Sequence, residues 1–109
     1  METPKRCKLT IGIPTYNGEQ FLEEKITSIL NQDFTDFELI ISDNASTDST
    51  KKICEEFLIK DKRIRFFSHE KNLGANWNFN FILNNAYGEY FMWTAIDDKI
   101  LPGFYEKNM

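Results

Sequence analysis

The 109-residue chain holds one histidine, two cysteines, three prolines and five glycines, and each scarcity removes a class of chemistry. Cys7 and Cys54 stand far apart, with no CxxC pair and no neighbouring histidine cluster, which argues against a disulfide framework and against a zinc site. Cys54 falls on the apolar side of a helical pattern and reads as a small buried hydrophobe. The single histidine, His69, has no visible partner in the sequence and reads as a loop residue rather than a catalyst. The glycines build no phosphate cradle: "GIPTYNG" follows the first apolar run where GxGxxG would be needed, and no GK followed by Ser or Thr occurs. No run approaches the ~20 apolar residues of a membrane span. The N-terminal METPKRCKLT lacks the apolar core of a signal peptide. A soluble, cytoplasmic chain without a transmembrane segment is expected, peripheral to a membrane at most as part of a longer protein.

Positive charge is also thin. The formal net charge is -4, and the basic residues are scattered over Lys5 to Arg6, Lys51 to Lys52 and Lys60 to Arg65. Such scattering gives no basic face for phosphate collection, so nucleic acid is excluded as a partner. What the chain has instead is 41% hydrophobic and 15% aromatic residues, ten of them Phe. That composition fits one packed domain over residues 1–109 and argues against disorder.

Apolar periodicity alternates between two kinds. "KLTIGIP" (Lys8 to Pro14), "FELIIS" (Phe37 to Ser42), "RIRFF" (Arg63 to Phe67) and Tyr90 to Ile96 read as strands, the second a near-continuous apolar run suited to burial on both faces. Between them, Phe21, Leu22, Ile26, Ile29 and Leu30 recur at helical spacing, with Asn17 as the expected N-cap and Gln20 three residues on. Ile53, Phe57 and Leu58 mark the buried stripe of a second helix, and Phe79, Ile82, Leu83 and Ala86 that of a third. Gly88 suits the left-handed position beyond that third helix. Strand-helix alternation with short connections predicts an α/β fold, an open and mostly parallel sheet covered by helices. The loops "PTYNG", "DNASTD", "HEKNLGAN" and "DDK" then collect at one sheet edge, where open α/β folds bind ligands.

The acids at that edge carry the chemistry. Asp97 and Asp98 leave the fourth strand side by side, and two carboxylates that close stay ionised only with a compensating cation or hydrogen-bond donors. A hard divalent ion supplies that compensation and bridges to substrate phosphates. A polar turn accounts for the same residues equally well when they are considered alone. Asp43 ends the second strand and faces the same crevice, either as an acceptor for a base or ribose or as the start of an Asx turn. Ser46, Thr47 and Asp48 read as caps of the second helix.

Taken together, "IGIPTYNGEQFLEEKITSILNQDFTDFELIISDNASTDST", "NLGAN", "AYGEYFMW" and "DDKILP" resemble the nucleotide-diphosphosugar-binding part of family 2 glycosyltransferases, with every block in order from Lys8 to Asn108. The resemblance implies the GT-A fold, a Rossmann-like half with helices on both faces and strand order 3-2-1-4. It implies an inverting sugar transfer from a nucleotide-diphosphosugar, a UDP-sugar first among them, to an acceptor sugar or lipid-linked sugar, with Mn2+ or Mg2+ as cofactor. Pro14, Thr15, Tyr16 and Asn17 match the loop around the nucleotide base, and Asp43 the acid that recognises it. Asn72 and Gly74, with Asn76 and Asn80 after them, match the segment near ribose and diphosphate. Asp97 would contact the ribose, and Asp98 would bind the metal as part of this chain's version of the DXD motif.

Two positions depart from the family pattern. Phe79 stands where many relatives carry an arginine, and Lys99 where a third aspartate often appears. The family's acceptor site and general base lie well past the motif, so the chain reads as a donor-binding portion, truncated relative to a full enzyme, with no residue assigned as base. Homo-oligomerisation is compatible with this reading. The alternatives are a non-catalytic nucleotide-binding or oligomerising module, and an aspartate phosphoacceptor, which would want acids where "PTYNG" stands.

Overall fold

The computed structural model describes residues 7–94. Asp97, Asp98 and Lys99 lie outside the described residues, as does the far end of the expected fourth strand. Seven elements follow one another: β1 (Cys7–Thr15), α1 (Glu19–Leu30), β2 (Phe37–Asp43), α2 (Thr50–Lys60), β3 (Ile64–Ser68), α3 (Ala75–Asn84) and β4 (Gly88–Trp93). All neighbouring strands are parallel, in the order β3-β2-β1-β4, as the resemblance implied.

Strand alternation divides the core into two layers. Leu9, Ile11 and Ile13 of β1 and Leu39 and Ile41 of β2 point to one face, where Leu22, Ile26 and Ile29 of α1 and Cys54 of α2 cover them. Residues of opposite parity face α3: a Cβ placed on Gly12 would fall 2.9 Å from the Ile82 side chain. Every residue of β2 is buried, which explains its near-continuous apolar run. The order in which strands are added reverses at β1, because β2 and β3 extend one way from β1 and β4 lies on the other side. The crevice at the carboxyl ends of β1 and β4 is therefore the topological switch point.

Four sequence expectations are corrected. Asn17 does not cap α1: Gly18 occupies the N-cap position, with no side-chain cap bond. Leu58 is 37% exposed, and Cys54 takes the buried place in α2. Phe21 and Leu83 are exposed as well, while polar Asn78 is buried on α3. Gly88 begins β4 instead of ending α3 in a left-handed turn. It pairs with Cys7 so closely that a Cβ there would lie 2.4 Å from the Thr10 nitrogen. The end of α3 is closed by Asn85, whose side-chain amide donates to the Phe81 carbonyl at 2.7 Å.

The amino edge of the α3 face holds a polar network that fixes the α3–β4 connection. Glu38, nearly buried, accepts from the Thr10 hydroxyl at 2.6 Å, from Arg65 at 2.8 Å and from the Tyr87 N–H. The Thr10 hydroxyl in turn accepts from the Gly88 N–H at 2.8 Å, and Arg65 also donates to the Asn85 carbonyl. A buried carboxylate needs this many donors to repay its desolvation.

Candidate functional site

The carboxyl edge is assembled by hydrogen bonds that join three loops. The loop after β1 meets the loop after β2 through Asn17, whose N–H donates to the Ser46 hydroxyl at 2.7 Å and whose side-chain oxygen accepts from the Thr47 N–H at 2.8 Å. Asn17 holds φ at 51°, a left-handed conformation that asparagine tolerates better than most residues. The unmet N–H groups at the start of α1 are also served across this seam. Gly18 donates to the Thr50 hydroxyl at 2.9 Å and Glu19 to Asp48 at 3.2 Å. The "DNASTDST" segment thus caps two helices, because Asp48 also accepts from the Thr50 N–H at 2.9 Å at the start of α2. Burial raises the Asp48 carboxyl. Hydrogen bonds from the Thr50 hydroxyl and from the Thr50 and Glu19 N–H groups outweigh that and hold it below the ordinary carboxylate range.

Asp43 sits at the end of β2 and is 1% exposed. One carboxyl oxygen accepts the Ser46 N–H at 3.3 Å and the other the Ser46 hydroxyl. This is the Asx-type turn, and it does not exhaust the group, since a carboxylate has about four lone-pair sites. The Asp43 carbonyl accepts the His69 N–H, and the His69 Nε2 pairs with the Ser42 hydroxyl at 2.7 Å. His69 therefore has partners that the sequence did not disclose, and its ring packs edge-on against Trp77 and Phe81. Burial lowers its pKa from the usual 6.5, against the opposing pull of the Asp43 charge, so the imidazole is neutral at pH 7.

Asn44 joins the third loop. Buried to 4% exposure, it accepts the Leu73 N–H at 3.0 Å and donates to the Gly74 carbonyl at 3.1 Å, while its own N–H donates to the Thr15 carbonyl at 2.9 Å. Asn72 accepts the Gly74 N–H at 2.9 Å. Gly74 holds φ +96° and ψ 157°, a backbone region open essentially to glycine alone. The conformation delivers the chain into α3 and leaves Asn72, Gly74, Asn76 and Asn80 exposed.

Thr15 and Asp43 are paired at the ends of β1 and β2, Asn17, Asn72 and Gly74 lie on the loops beyond the strand ends, Pro14 pairs with Ser42 inside β1, and Tyr16 is half exposed beside it. Phe79, in place of the family arginine, packs edge-on against Trp93 at 4.3 Å. The sequence reading missed Asn44, Lys25 and Asn78. Asn44 was hidden in a string of polar residues. The signal for the other two was a polar residue inside an apolar helical stripe. Among the described residues two buried side-chain atoms lack partners: the Thr15 hydroxyl oxygen and the Asn78 side-chain oxygen, whose amide nitrogen donates to the Ser42 carbonyl.

Among the described residues no group of three His, Cys, Asp or Glu side chains could hold a metal. Asp43 is, among the described residues, the buried carboxylate at the end of β2, and Ser46 engages both of its oxygens. Asp97 and Asp98, the acids expected to face a metal, lie outside the described residues. No helix among the described residues is long and apolar enough to cross a membrane.

Comparison with known proteins agrees with this arrangement. The chain is 40% identical over 97 residues to the GalNAc(5)-diNAcBac-PP-undecaprenol beta-1,3-glucosyltransferase of Campylobacter jejuni, covering 88% of itself and 31% of that protein. It thus spans about a third of the length of that relative. Staphylococcus aureus TarS 1-349, solved in complex with UDP-GlcNAc, superposes with a TM-score of 0.85 at 31% identity, over 93% of this chain and 30% of that one. A mannosyltransferase from Pyrobaculum calidifontis, solved with GDP-Man and Mn2+, superposes with a TM-score of 0.77 at 28% identity, over 85% of this chain and 28% of that one. The sequence pattern described as Glycosyl transferase family 2 matches residues 10–108. Fold, strand order and motif order all agree with that match, and the chain belongs to glycosyl transferase family 2.

Proposed function

We propose that this chain is the donor-binding part of a glycosyltransferase that holds a nucleotide-diphosphosugar at the carboxyl edge of β1, β2 and β4, with a divalent metal on Asp98, for inverting transfer to an acceptor hydroxyl. The observation that carries the reading is the seam of hydrogen bonds that joins the loops of Asn17, Asp43 and Asn72 at one edge, through Ser46, Thr47 and Asn44, beside a buried Thr15 hydroxyl with no partner among the described residues. The TarS complex with UDP-GlcNAc and the mannosyltransferase complex with GDP-Man and Mn2+ support it.

In this reading each residue has a limited task. Pro14, Thr15, Tyr16 and Asn17 wall the base, with the exposed Tyr16 ring offering a face for stacking. Asp43 keeps acceptor capacity after its bonds to Ser46, enough for an N–H of the base or a ribose hydroxyl. Asn72 and Gly74 shape the wall near the ribose and diphosphate, and Asp97 accepts from the ribose. Asp98 would hold the metal, which would supply compensation for the negative charge of the leaving diphosphate. The residues described here bind and orient the donor, and none is assigned the role of base.

Titration calorimetry with UDP-GlcNAc and GDP-Man, with and without Mn2+, tests the reading. Metal-dependent binding that Asp98→Ala abolishes is expected. Binding of neither donor, or binding indifferent to both Mn2+ and Asp98→Ala, would overturn it.

A further inference from the structure

Asparagine followed by glycine occurs once in the chain, at Asn17–Gly18, inside the seam that joins the loops after β1 and β2. Asparagine is chemically labile, and a following glycine has no side chain to shield its backbone nitrogen from the neighbouring carboxamide. The fold holds these two groups apart. Gly18 is buried, and its N–H donates to the Thr50 hydroxyl at 2.9 Å, whose own proton goes to Asp48 at 2.5 Å. The Asn17 side-chain oxygen accepts from the Thr47 N–H at 2.8 Å, and the Asn17 N–H donates to the Ser46 hydroxyl at 2.7 Å, with φ held at 51°. These partners stand twenty-nine to thirty-two positions away, so parting the two loops releases the carboxamide and the nitrogen together. Openings of this kind occur without global unfolding.

We propose that Asn17–Gly18 is a modification site gated by this seam, at which Asn17 deamidates through a cyclic imide only while the two loops are parted. The Gly18 nitrogen, its proton passed to hydroxide, bonds to the Asn17 side-chain carbonyl carbon. The carboxamide C–N bond breaks, and ammonia leaves with a proton from water. One water then opens either carbonyl–nitrogen bond of the imide, giving aspartate or isoaspartate without any change of oxidation state. Isoaspartate lengthens the main chain by a methylene and moves Gly18 off the Thr50 hydroxyl that serves the start of α1. Aspartate adds a negative charge beside Ser46, whose hydroxyl already engages Asp43. Both products hinder closure of the seam. A loss of donor affinity follows if the donor binds at this edge, and that clause alone rests on the proposed function.

The test follows Asn17 by peptide mass mapping while the full chain is held in mildly alkaline buffer, either folded or unfolded in guanidinium chloride. Three hydrogen bonds at their usual net contribution should make the folded rate roughly a hundredfold slower than the unfolded one. Equal rates overturn the proposal. Thr50→Val frees the Gly18 N–H and is expected to speed the folded reaction about fivefold. If that variant does not fold, Ser46→Ala, which frees the Asn17 N–H, should raise the rate instead, and an unchanged rate counts against the gate equally. Glu38→Ala lowers global stability at the amino edge without touching the seam and should leave the rate at Asn17 as in the parent. A rise there equal to that in Thr50→Val would make global unfolding the gate and refute the seam. The acidic product, separated by ion exchange, should bind UDP-GlcNAc with Mn2+ about tenfold more weakly than the unmodified chain. Equal binding overturns the effect on the donor; binding by neither form overturns the proposed function, and the rates still decide the gate.

Discussion

Asn44→Ala should loosen the third loop from the rest of the site. The Asn44 side chain makes two hydrogen bonds to the backbone of Leu73 and Gly74, and it is buried. Each such bond contributes about 0.5–1.5 kcal/mol net, and the loop groups left behind can reach water, so a total near 2 kcal/mol is expected. For a domain of this size that corresponds to a fall of roughly 8–10 °C in Tm. Thermal unfolding followed by circular dichroism measures it. Affinity for a nucleotide-diphosphosugar should fall in the same variant, because Asn72 and Gly74 lose their anchor. A Tm within about 2 °C of the parent would refute the claim that Asn44 clamps this loop, given the magnitudes above.

Further outcomes follow from other elements. Gly74→Ala has open space for its Cβ, so its cost is backbone strain alone, about 1–3 kcal/mol by urea unfolding, and no measurable loss would contradict the strained geometry. Glu38→Ala strands Arg65 and the Thr10 hydroxyl and should cost about 3 kcal/mol in the same assay, whereas Glu89→Ala, at the exposed pair with Lys8, should cost almost nothing. His69 has a folded pKa below its unfolded value, so its stabilising contribution is complete above the unfolded value near 6.5 and is lost as pH falls through it toward the lower folded value. The urea midpoint should accordingly drop more between pH 7 and pH 5 in the parent than in His69→Gln.

The sheet was legible because burial leaves a mark on composition. β2 is buried along its whole length and reads as a near-continuous apolar run, and β1 through β3 fall within a residue or two of their expected limits. Helix faces were less legible. Leu58 and Leu83 have the right spacing and still face outward, because Cys54 and Ile82 already fill the sites against the sheet. Gly88 misled because a glycine after a helix is usually a left-handed cap, and here the close approach of β1 requires it instead. Asn17 looked like an N-cap, but Thr47 and Ser46, thirty and twenty-nine residues away, engage it. Long-range hydrogen bonds of this kind leave no periodicity in a sequence. The base-side residues were recognisable as a set only through the family resemblance, and Lys25 escaped because a single charge in an apolar stripe looks like noise.

Hydrogen exchange with UDP-GlcNAc and Mn2+ present is the most direct test of where the donor sits. Protection is predicted at the amides of Tyr16 to Gly18, Asn44 to Thr47 and Leu73 to Gly74, with none at the opposite edge around residues 31–36 and 61–63. Protection confined to that opposite edge, or none at saturating donor, would contradict the placement of the donor at the carboxyl ends of these strands.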